Sequence, residues 1–222
     1  MLTVHHLNNS RSQRVLWLLE ELELPYEIIR YQRQPDMRAP AELRAIHPLG
    51  KSPVITDKGN TIAESGAIIE YITEVYGDGH LIPRPKTPER LRYTYWLHYA
   101  EGSAMPPLLL KLLFTLMPKR APALLRPVVR KIANHALTAL VNPMLKQHMA
   151  FWEGELGKSE WFAGNAFTAA DIQMSFPLEA GAHRAGAFEG RPRIKAFVER
   201  IHARPAYTRA LEKGGPYAYA RV

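Results

Sequence analysis

A serine at the predicted junction of a strand and a helix is the first side chain in the sequence that is placed to do chemistry. Ser10 follows the β-prone run Leu2–Leu7 and precedes apolar residues at helical spacing. A hydroxyl there can donate a hydrogen bond to an anion, and the helix N-terminus adds a positive field. Ser10-x-x-Gln13 is also a capping-box pattern, so a structural role is the alternative. The two roles are compatible, because one hydroxyl can accept one hydrogen bond while it donates another.

Residues 47–71 hold a second group of candidate residues and read HPLGKSPVITDKGNTIAESGAIIEY. The order of turn, strand and helix signals predicts a loop, a hairpin and a helix N-terminus whose polar ends meet at one edge. Lys51 and Ser52 precede the hairpin, and the pair Glu64-Ser65 opens the helix that follows it. An edge of this kind suits a small peptide with charged ends.

Composition restricts the chemistry that the chain can perform by itself. The 222 residues are 46% hydrophobic and 23% charged, as in ordinary globular proteins. The absence of cysteine excludes disulfides, thiolate metal sites and a cysteine nucleophile, so any sulfur chemistry must use a thiol that arrives with a ligand. The histidines have no metal-binding spacing, and no metal is predicted.

The net charge and the length of the apolar runs bear on the expected partners and compartment of the protein. The net charge of +8 favours anionic ligands, and many cations lie between Lys111 and Lys131. This segment lacks a nucleic-acid-binding module, so we predict a solvated basic surface and no nucleic-acid partner. No apolar run reaches the roughly 18 residues of a membrane span, and the N-terminus lacks a signal-peptide pattern. We therefore expect a cytoplasmic protein without a membrane span.

The elements that position these residues divide into two parts, an α/β part followed by an all-α part. Strands at residues 2–7, 26–31, 54–56 and 61–63, with helices at 11–24, 40–46 and up to Gly77, predict the order βαβαββα. A parallel βαβ unit with a right-handed crossover opens it. We place one domain at residues 1–79, a Gly/Pro-rich linker at 80–88 and an all-helical domain at 89–222.

Three proline and capping signals organise the helical part. Pro106-Pro107 is expected to kink or break its helix, and a long helix over residues 128–156 is expected to bend at Asn142-Pro143. Thr168 and Asp171 form a capping box and are assigned to folding.

Five features of the sequence taken together indicate a family: the βαβαββα order, the Ser-Pro step, the Glu-Ser pair, the linker and the helix start FTAAD. With these features the chain resembles, over nearly its whole length, the cytosolic glutathione transferases, whose thioredoxin-like N-terminal domain holds glutathione. The strings SRSQRVLWLLEEL, MRAPAELRAIHPLGKSP and YWLHYAEGSAMPPLLLKLLF are most similar to the bacterial and fungal group around a yeast glutathione transferase.

The resemblance implies a serine-type enzyme in which the Ser10 hydroxyl stabilises the glutathione thiolate. Asn9 is the rival donor, and Arg11 could lower the pKa of the thiol by its charge. The thiolate would attack a hydrophobic electrophile, a peroxide or a disulfide. A non-catalytic glutathione-binding regulator on the same fold is the alternative.

Glutathione binding is assigned by the same resemblance to the residues around the hairpin. Pro53 is expected to be cis, with Ser52 pairing its backbone with the cysteinyl residue. Lys51 is assigned to the glycyl carboxylate, with His47 and Arg38 as weaker candidates. Ser65 and the helix amides are assigned to the γ-glutamyl carboxylate, and Glu64 to the ammonium.

The helical domain is expected to supply the electrophile pocket, and a homodimer is expected. The candidate pocket residues are Trp96, Tyr99, Met105, Leu109 and Leu113. Aromatic and leucine side chains at helical spacing are more often core, so burial in the interior is the alternative.

Overall fold

The N-terminal part of the chain forms a four-stranded sheet with three helices in the computed structural model, which describes residues 1–36 and 38–220. In chain order the elements are β1 (Thr3–Leu7), α1 (Ser12–Glu21), β2 (Glu27–Tyr31), α2 (Ala41–Ile46), β3 (Val54–Asp57), β4 (Asn60–Ala63) and α3 (Ser65–Val75). The predicted βαβαββα order is confirmed. Helix α1 ends earlier than expected, because Glu23 adopts a positive φ of 52° and turns the chain toward β2.

The sheet brings the candidate residues to one edge. Its strand order is β2-β1-β3-β4, with β1 parallel to β2 and antiparallel to β3. The hairpin of β3 and β4 pairs Val54 with Ala63 and Asp57 with Asn60. The C-terminal end of β1, the start of β3 and the end of β4 therefore lie side by side. Ser10, Ser52 and Ser65 follow or precede these three strand ends.

The C-terminal part of the described chain is helical. Its helices are α4 (Pro88–Tyr99), α5 (Met105–Arg120), α6 (Arg126–Ala136), α7 (Asn142–Glu155), α8 (Ala169–Ala185), α9 (Pro192–His202) and α10 (Pro205–Gly214). Of the predicted linker, residues 80–87 lie between α3 and α4 and Pro88 begins α4. The exact domain bounds stay a prediction. Among the described helices, none is both long enough and apolar enough to cross a membrane.

Two π-helical segments lie directly before the two places where prolines were expected to disturb a helix. Ala100–Ala104 joins α4 directly to α5, and Leu137–Val141 joins α6 to α7. The helix does not break at Pro106-Pro107, because α4, the π-helical segment and α5 follow one another without a gap. The expected kink stays a prediction. The π turn shifts the hydrogen-bond register, so the prolines fall in the first turn of α5, where backbone donors are not required.

One hydrophobic core joins the two parts of the chain. Helix α1 is buried from Ser12 to Glu20, and it packs against α8 and α10 as well as β1. Helix α8 begins with the predicted capping box, in which Asp171 accepts hydrogen bonds from the Thr168 and Phe162 backbone amides, each at 2.8 Å. Burial raises the pKa of Asp171 to about 6 despite these donors. The anchored α8 then holds Gln173 against the N-terminal part.

Candidate active site

A chain of hydroxyl groups lies where β1 ends and α1 begins. The Ser10 Oγ lies 2.7 Å from the Ser12 Oγ and donates to the Ser52 Oγ at 3.1 Å. It also accepts a hydrogen bond from the Ser12 backbone amide at 3.2 Å. Both Ser10 and Ser12 are buried. The Ser10 hydroxyl is therefore oriented from one side by an amide donor and is within reach of the residue before Pro53.

A neutral histidine anchors this chain of hydroxyl groups. The Ser12 Oγ lies 2.8 Å from the Nδ1 of His6, which projects from β1. Burial, together with the nearby charge of Arg30, lowers the pKa of His6 to about 4. At neutral pH the imidazole is uncharged, so the hydrogen-bonded groups around Ser10 carry no net charge. Sequence reasoning missed both Ser12 and His6, although the period of two in a strand places His5 and His6 on opposite faces.

The predicted capping box at Ser10 does not close. The side-chain amide of Gln13 is buried and has no hydrogen-bond partner within the described structure. It lies against Gly214, where an added Cβ would approach the Gln13 Oε1 to 2.6 Å. Packing between α1 and α10 therefore holds Gln13 away from the helix start. The Ser10 hydroxyl itself still accepts an amide hydrogen bond, so part of the structural role remains.

The loop before β3 presents its backbone next to these hydroxyl groups. The Ser52–Pro53 peptide bond is cis, as predicted. The Ser52 hydroxyl donates to the His5 carbonyl at 3.4 Å, which connects the loop to β1. Ser52 and Pro53 both line the adjacent cleft. The backbone of Ser52 is thus available at the cleft wall for pairing with an extended ligand.

The start of α3 forms a second polar group at the far side of the cleft. Glu64 adopts a positive φ of 72°, which turns the chain sharply between β4 and the helix. Ser65 is buried at the first position of α3, and its hydroxyl donates to Glu101 Oε1 at 3.4 Å. Gln173 donates its amide to the Ser65 Oγ at 3.3 Å. Residues from three distant segments therefore meet at this helix N-terminus.

Glu101 and two arginines link the parts of the chain here. The Arg14 guanidinium donates to Glu101 at 2.8 Å and, at 2.6 Å each, to the carbonyl and the side-chain oxygen of Gln173. Arg11 lies 3.1 Å from the other Glu101 oxygen. The Arg14 side chain is 2% exposed, whereas those of Arg11 and Glu101 are 33% and 29% exposed. Arg14 is thus a buried clamp, and Glu101 and Arg11 face the cleft.

Several of these groups line a cleft of about 730 Å³, and the buried Ser10 is connected to it through its hydrogen bond with Ser52. Its wall includes Leu7, Arg11, Arg33, Arg38, Ala39, Arg44, His47, Leu49, Gly50, Lys51, Ser52, Pro53, Ala63, Glu64, Ser65, Glu101 and Leu109. The cations, two serines and two carboxylates of this lining can receive a peptide that carries two carboxylates and one ammonium. The two Glu side chains and the start of α3 suit a free amino-acid end, and the lysine and arginine side chains suit a carboxylate.

Comparison with known proteins identifies the family. The family model of the glutathione S-transferase N-terminal domain matches residues 1–74, and the model of the glutathione S-transferase C-terminal domain matches residues 116–205. Glutathione S-transferase 3 of Schizosaccharomyces pombe is 36% identical over 96% of this chain and 88% of its own length. The chain belongs to the glutathione S-transferase family. The co-substrate of this family is glutathione.

Two further glutathione S-transferases extend this match over the whole chain. Glutathione S-transferase 1 of Saccharomyces cerevisiae is 34% identical over 96% of this chain and 95% of its own length. A crystal structure of a glutathione S-transferase from Actinobacillus pleuropneumoniae is 32% identical. It aligns with a TM-score of 0.82 over 100% of this chain and 97% of its own. The predicted resemblance to the group around a yeast glutathione transferase is confirmed.

The remaining candidate residues of this glutathione S-transferase lie in different surroundings. The Asn9 side-chain oxygen accepts a hydrogen bond from the Ala218 amide at 2.8 Å, so this side chain faces the C-terminal segment. Trp96 and Tyr99 are buried: Trp96 packs on Phe162, and Tyr99 accepts a hydrogen bond from the Trp152 indole. These contacts belong to the core of the helical part.

The three aliphatic pocket candidates differ from one another in exposure. Met105 is buried at the start of α5, whereas Leu109 and Leu113 are about half exposed at 48% and 53%. Leu109 also lines the cleft. Six of the candidate residues therefore line one cleft: Arg11, Lys51, Ser52, Glu64, Ser65 and Leu109. Ser52 is also the hydrogen-bond partner of Ser10.

Sequence reasoning missed Glu101, because its partners are up to 87 positions away along the chain.

Proposed function

We propose that this protein transfers glutathione to a hydrophobic electrophile and that the Ser10 hydroxyl stabilises the reacting thiolate. The observation that supports this most strongly is the position of the Ser10 hydroxyl. It is buried, receives an amide hydrogen bond, and directs its proton toward Ser52, which precedes cis-Pro53 and lines the cleft. A sulfur bound beside Ser52 would be an alternative acceptor for the same proton.

The environment of Ser10 favours a bound anion without supplying a full charge. A thiol of ordinary pKa about 8.5 is only a few per cent ionised at neutral pH. Hydrogen bonds to a charged acceptor contribute about 1.5–3 kcal/mol, which corresponds to a thiol pKa lower by roughly one to two units. The start of α1 adds its positive dipole end. The thiol proton passes to solvent, and the thiolate remains hydrogen-bonded to Ser10.

The proposed reaction is a displacement at an electrophilic carbon. The thiolate sulfur contributes an electron pair to form the new carbon–sulfur bond, and the leaving group departs with the pair from the broken bond. The half-exposed Leu109 borders the open end of the cleft and supports an apolar second substrate. Because the chain has no cysteine, a mixed disulfide with the protein is excluded, and reduction of peroxides or disulfides would consume glutathione thiols alone.

Glutathione is proposed to lie along the cleft with its two ends bound by different charges. Ser65 and the first amides of α3 receive the γ-glutamyl carboxylate, and Glu64 with Glu101 receives the ammonium. Lys51 pairs with the glycyl carboxylate, and Ser52 pairs its backbone with the cysteinyl residue. The placement of all five residues on one cleft wall or floor supports this assignment.

The test is conjugation of glutathione to 1-chloro-2,4-dinitrobenzene by the wild type, Ser10→Ala and Asn9→Ala. We expect Ser10→Ala to lower kcat/KM by about 10- to 100-fold at neutral pH, since one charge-assisted hydrogen bond is lost. Asn9→Ala should change it by less than about three-fold, because the Asn9 side chain faces residue 218. The reverse ranking would move the assignment to Asn9. Stabilisation by glutathione without any turnover would favour the non-catalytic regulator.

We also propose a cytoplasmic homodimer, in keeping with the family. Sedimentation velocity tests the dimer directly, because a dimer has twice the mass of the 25.2 kDa chain.

A further inference from the structure

Two arginines line a part of the cleft that the proposed glutathione assignment does not use. Arg11 lies between β1 and α1, Arg33 follows β2, and both side chains belong to the cleft wall. The strand order β2-β1-β3-β4 fixes the order of the polar residues along this edge: Arg33, then Ser10 with Arg11, then Ser52, then Ser65. The proposed glutathione contacts extend from Ser10 to Ser65. Arg33 therefore lies on the other side of Ser10, away from the γ-glutamyl end.

Buried aromatic rings lie next to these two cations. The Cζ atom of Arg11 lies 5.4 Å from the ring centroid of Phe176, and the rings of Phe176 and Tyr219 meet edge to face at 5.2 Å. Burial lowers the pKa of the Arg33 guanidinium, Tyr219 raises it, and the charge of Arg11 lowers it again, so Arg33 lies within electrostatic range of both residues. A guanidinium over an aromatic face is held by a cation–π interaction. Arg11 is thereby held in position before a ligand arrives.

One carboxylate serves several cations in this region. Glu101 forms ion pairs with Arg11 at 3.1 Å and with the buried Arg14 at 2.8 Å, and it is also proposed to meet the glutathione ammonium. Arg33 adds a further cation to the same cleft. Like charges repel one another, and a bound anion offsets that repulsion. Both glutathione carboxylates are assigned to other residues, so the second substrate is the remaining source of an anion.

We propose that the electrophile carries an anionic group, such as a carboxylate, which binds between Arg11 and Arg33. This inference rests on the proposed function, because it names the class of the second substrate in the same cleft. Guanidinium groups bind carboxylates through paired charge-assisted hydrogen bonds, and the apolar body of the substrate would face Leu109. The anionic group takes no part in the displacement. The two cations offset its repulsion with the glutathione thiolate, so the reaction between two anions is favoured in the cleft relative to water.

The experiment compares two glutathione conjugates that differ only in charge. The chloroarenes 4-chloro-3,5-dinitrobenzoate and 4-chloro-3,5-dinitrobenzamide react with glutathione without an enzyme, and the products carry a carboxylate or a carboxamide at the same ring position. Isothermal titration calorimetry measures the Kd of each conjugate for the full chain. We expect the carboxylate conjugate to bind about ten-fold more tightly, and the ratio of the two Kd values to fall as salt concentration rises. Equal Kd values in the wild type would overturn the proposal.

Arg33→Gln tests which of the two substrates Arg33 binds. The ratio of the two Kd values should fall to about three-fold or less, with less than about a two-fold change for the carboxamide conjugate. Arg33→Lys keeps the charge without the planar guanidinium, so it should give an intermediate ratio. If Arg33→Gln weakened the binding of both conjugates equally, Arg33 would belong to the glutathione site and the proposal would be overturned.

The matched control is Arg84→Gln. Arg84 is exposed in the segment between α3 and α4, outside the lining of the cleft, so this variant removes the same charge elsewhere. It should keep the ratio of about ten-fold, and an equal loss of the ratio in Arg84→Gln and Arg33→Gln would reduce the effect to net charge and overturn the proposal. Failure of the proposed function would appear separately, as absent turnover of 4-chloro-3,5-dinitrobenzamide and 1-chloro-2,4-dinitrobenzene, because the binding comparison needs no turnover.

Discussion

The two ends of the cleft use different kinds of interaction. At the end near Ser10, the side chains are hydroxyl groups and a neutral imidazole, all from β1, α1 and the loop before β3. At the end near Ser65, the contacts are ionic and join segments as far apart as Arg14 and Gln173. The first end is built locally, and the second exists only because the two parts of the chain pack together.

This difference separates two tasks. The uncharged hydroxyl and imidazole groups near Ser10 can stabilise a new negative charge on sulfur, because they hold no anion that would compete with it. In the proposed binding mode the ionic end pairs with charges that glutathione carries both before and after the reaction, so it would contribute binding that is the same in the ground state and the transition state. We therefore expect changes near Ser10 to alter kcat and changes near Glu101 to alter KM.

The largest effect is expected from Arg14→Ala, which should destabilise the fold by about 3–5 kcal/mol, because two buried oxygens of Gln173 lose the donor that Arg14 supplies. Glu101 would lose one donor but keep Arg11 and Ser65. Urea denaturation measures this. Arg11→Ala is the matched control: it also loses a contact with Glu101, but its side chain is 33% exposed, so its cost should be about 1 kcal/mol or less. Equal costs for the two variants would contradict the role of Arg14 as a clamp.

The second effect concerns the pH dependence of stability and tests whether His6, at the end of the cleft near Ser10, is uncharged in the folded protein. The folded-state pKa of His6 is lowered to about 4, so the unfolded chain binds the proton first as pH falls. Stability should therefore be fully present above the unfolded value near 6.5 and decline by about 3 kcal/mol as pH falls toward 4. In His6→Gln this part of the decline should disappear, whereas the exposed His80→Gln should retain it. Denaturant titrations across this pH range decide between these outcomes.

The third effect is on binding at the ionic end. Glu101→Gln keeps the shape of the side chain and removes the charge proposed to meet the glutathione ammonium. We expect KM for glutathione to rise by about ten-fold with kcat changed by less than two-fold, as for a loss of uniform binding. Steady-state kinetics with varied glutathione measure both constants. A fall in kcat at unchanged KM would mean that the two ends do not divide the tasks as described.

The smallest effect is expected at Lys51. Its side chain is exposed, and screened surface pairs contribute about 1 kcal/mol or less. Lys51→Ala should raise KM for glutathione by no more than about five-fold, and added salt should reduce the difference from the wild type. The exposed Lys58→Ala, at the turn between β3 and β4, is the control and should leave KM unchanged.

The sequence predicts the locally determined features well. The hairpin and the Thr168–Asp171 capping box depend on neighbours within a few residues, and both are present. The βαβ unit, whose strands follow one another along the chain, is present as well. The π-helical segments were not foreseen, because a proline pair in a helical pattern indicates a break. Whether the helix instead widens depends on the packing that holds its two halves in line.

Half of the candidate site follows from short motifs, and half does not. Ser10, Ser52 and Ser65 stand at strand and helix ends that the pattern predicts. The contacts of Glu101 and Gln173 with Arg14 span 87 and 159 positions, so no local signal reports them. One signal was available for Arg14: it is a cation directly before the apolar run Val15–Leu19, which predicts burial, and a buried charge requires a partner.

The pKa of the glutathione thiol bound to the protein tests the central claim most directly. It can be measured from the ultraviolet absorbance of the thiolate as pH is varied, in the wild type and in Ser10→Ala at saturating glutathione. The account predicts a thiol pKa about one to two units lower in the wild type than in Ser10→Ala. The same thiol pKa in both proteins, with glutathione bound equally well, would contradict the assignment of thiolate stabilisation to Ser10.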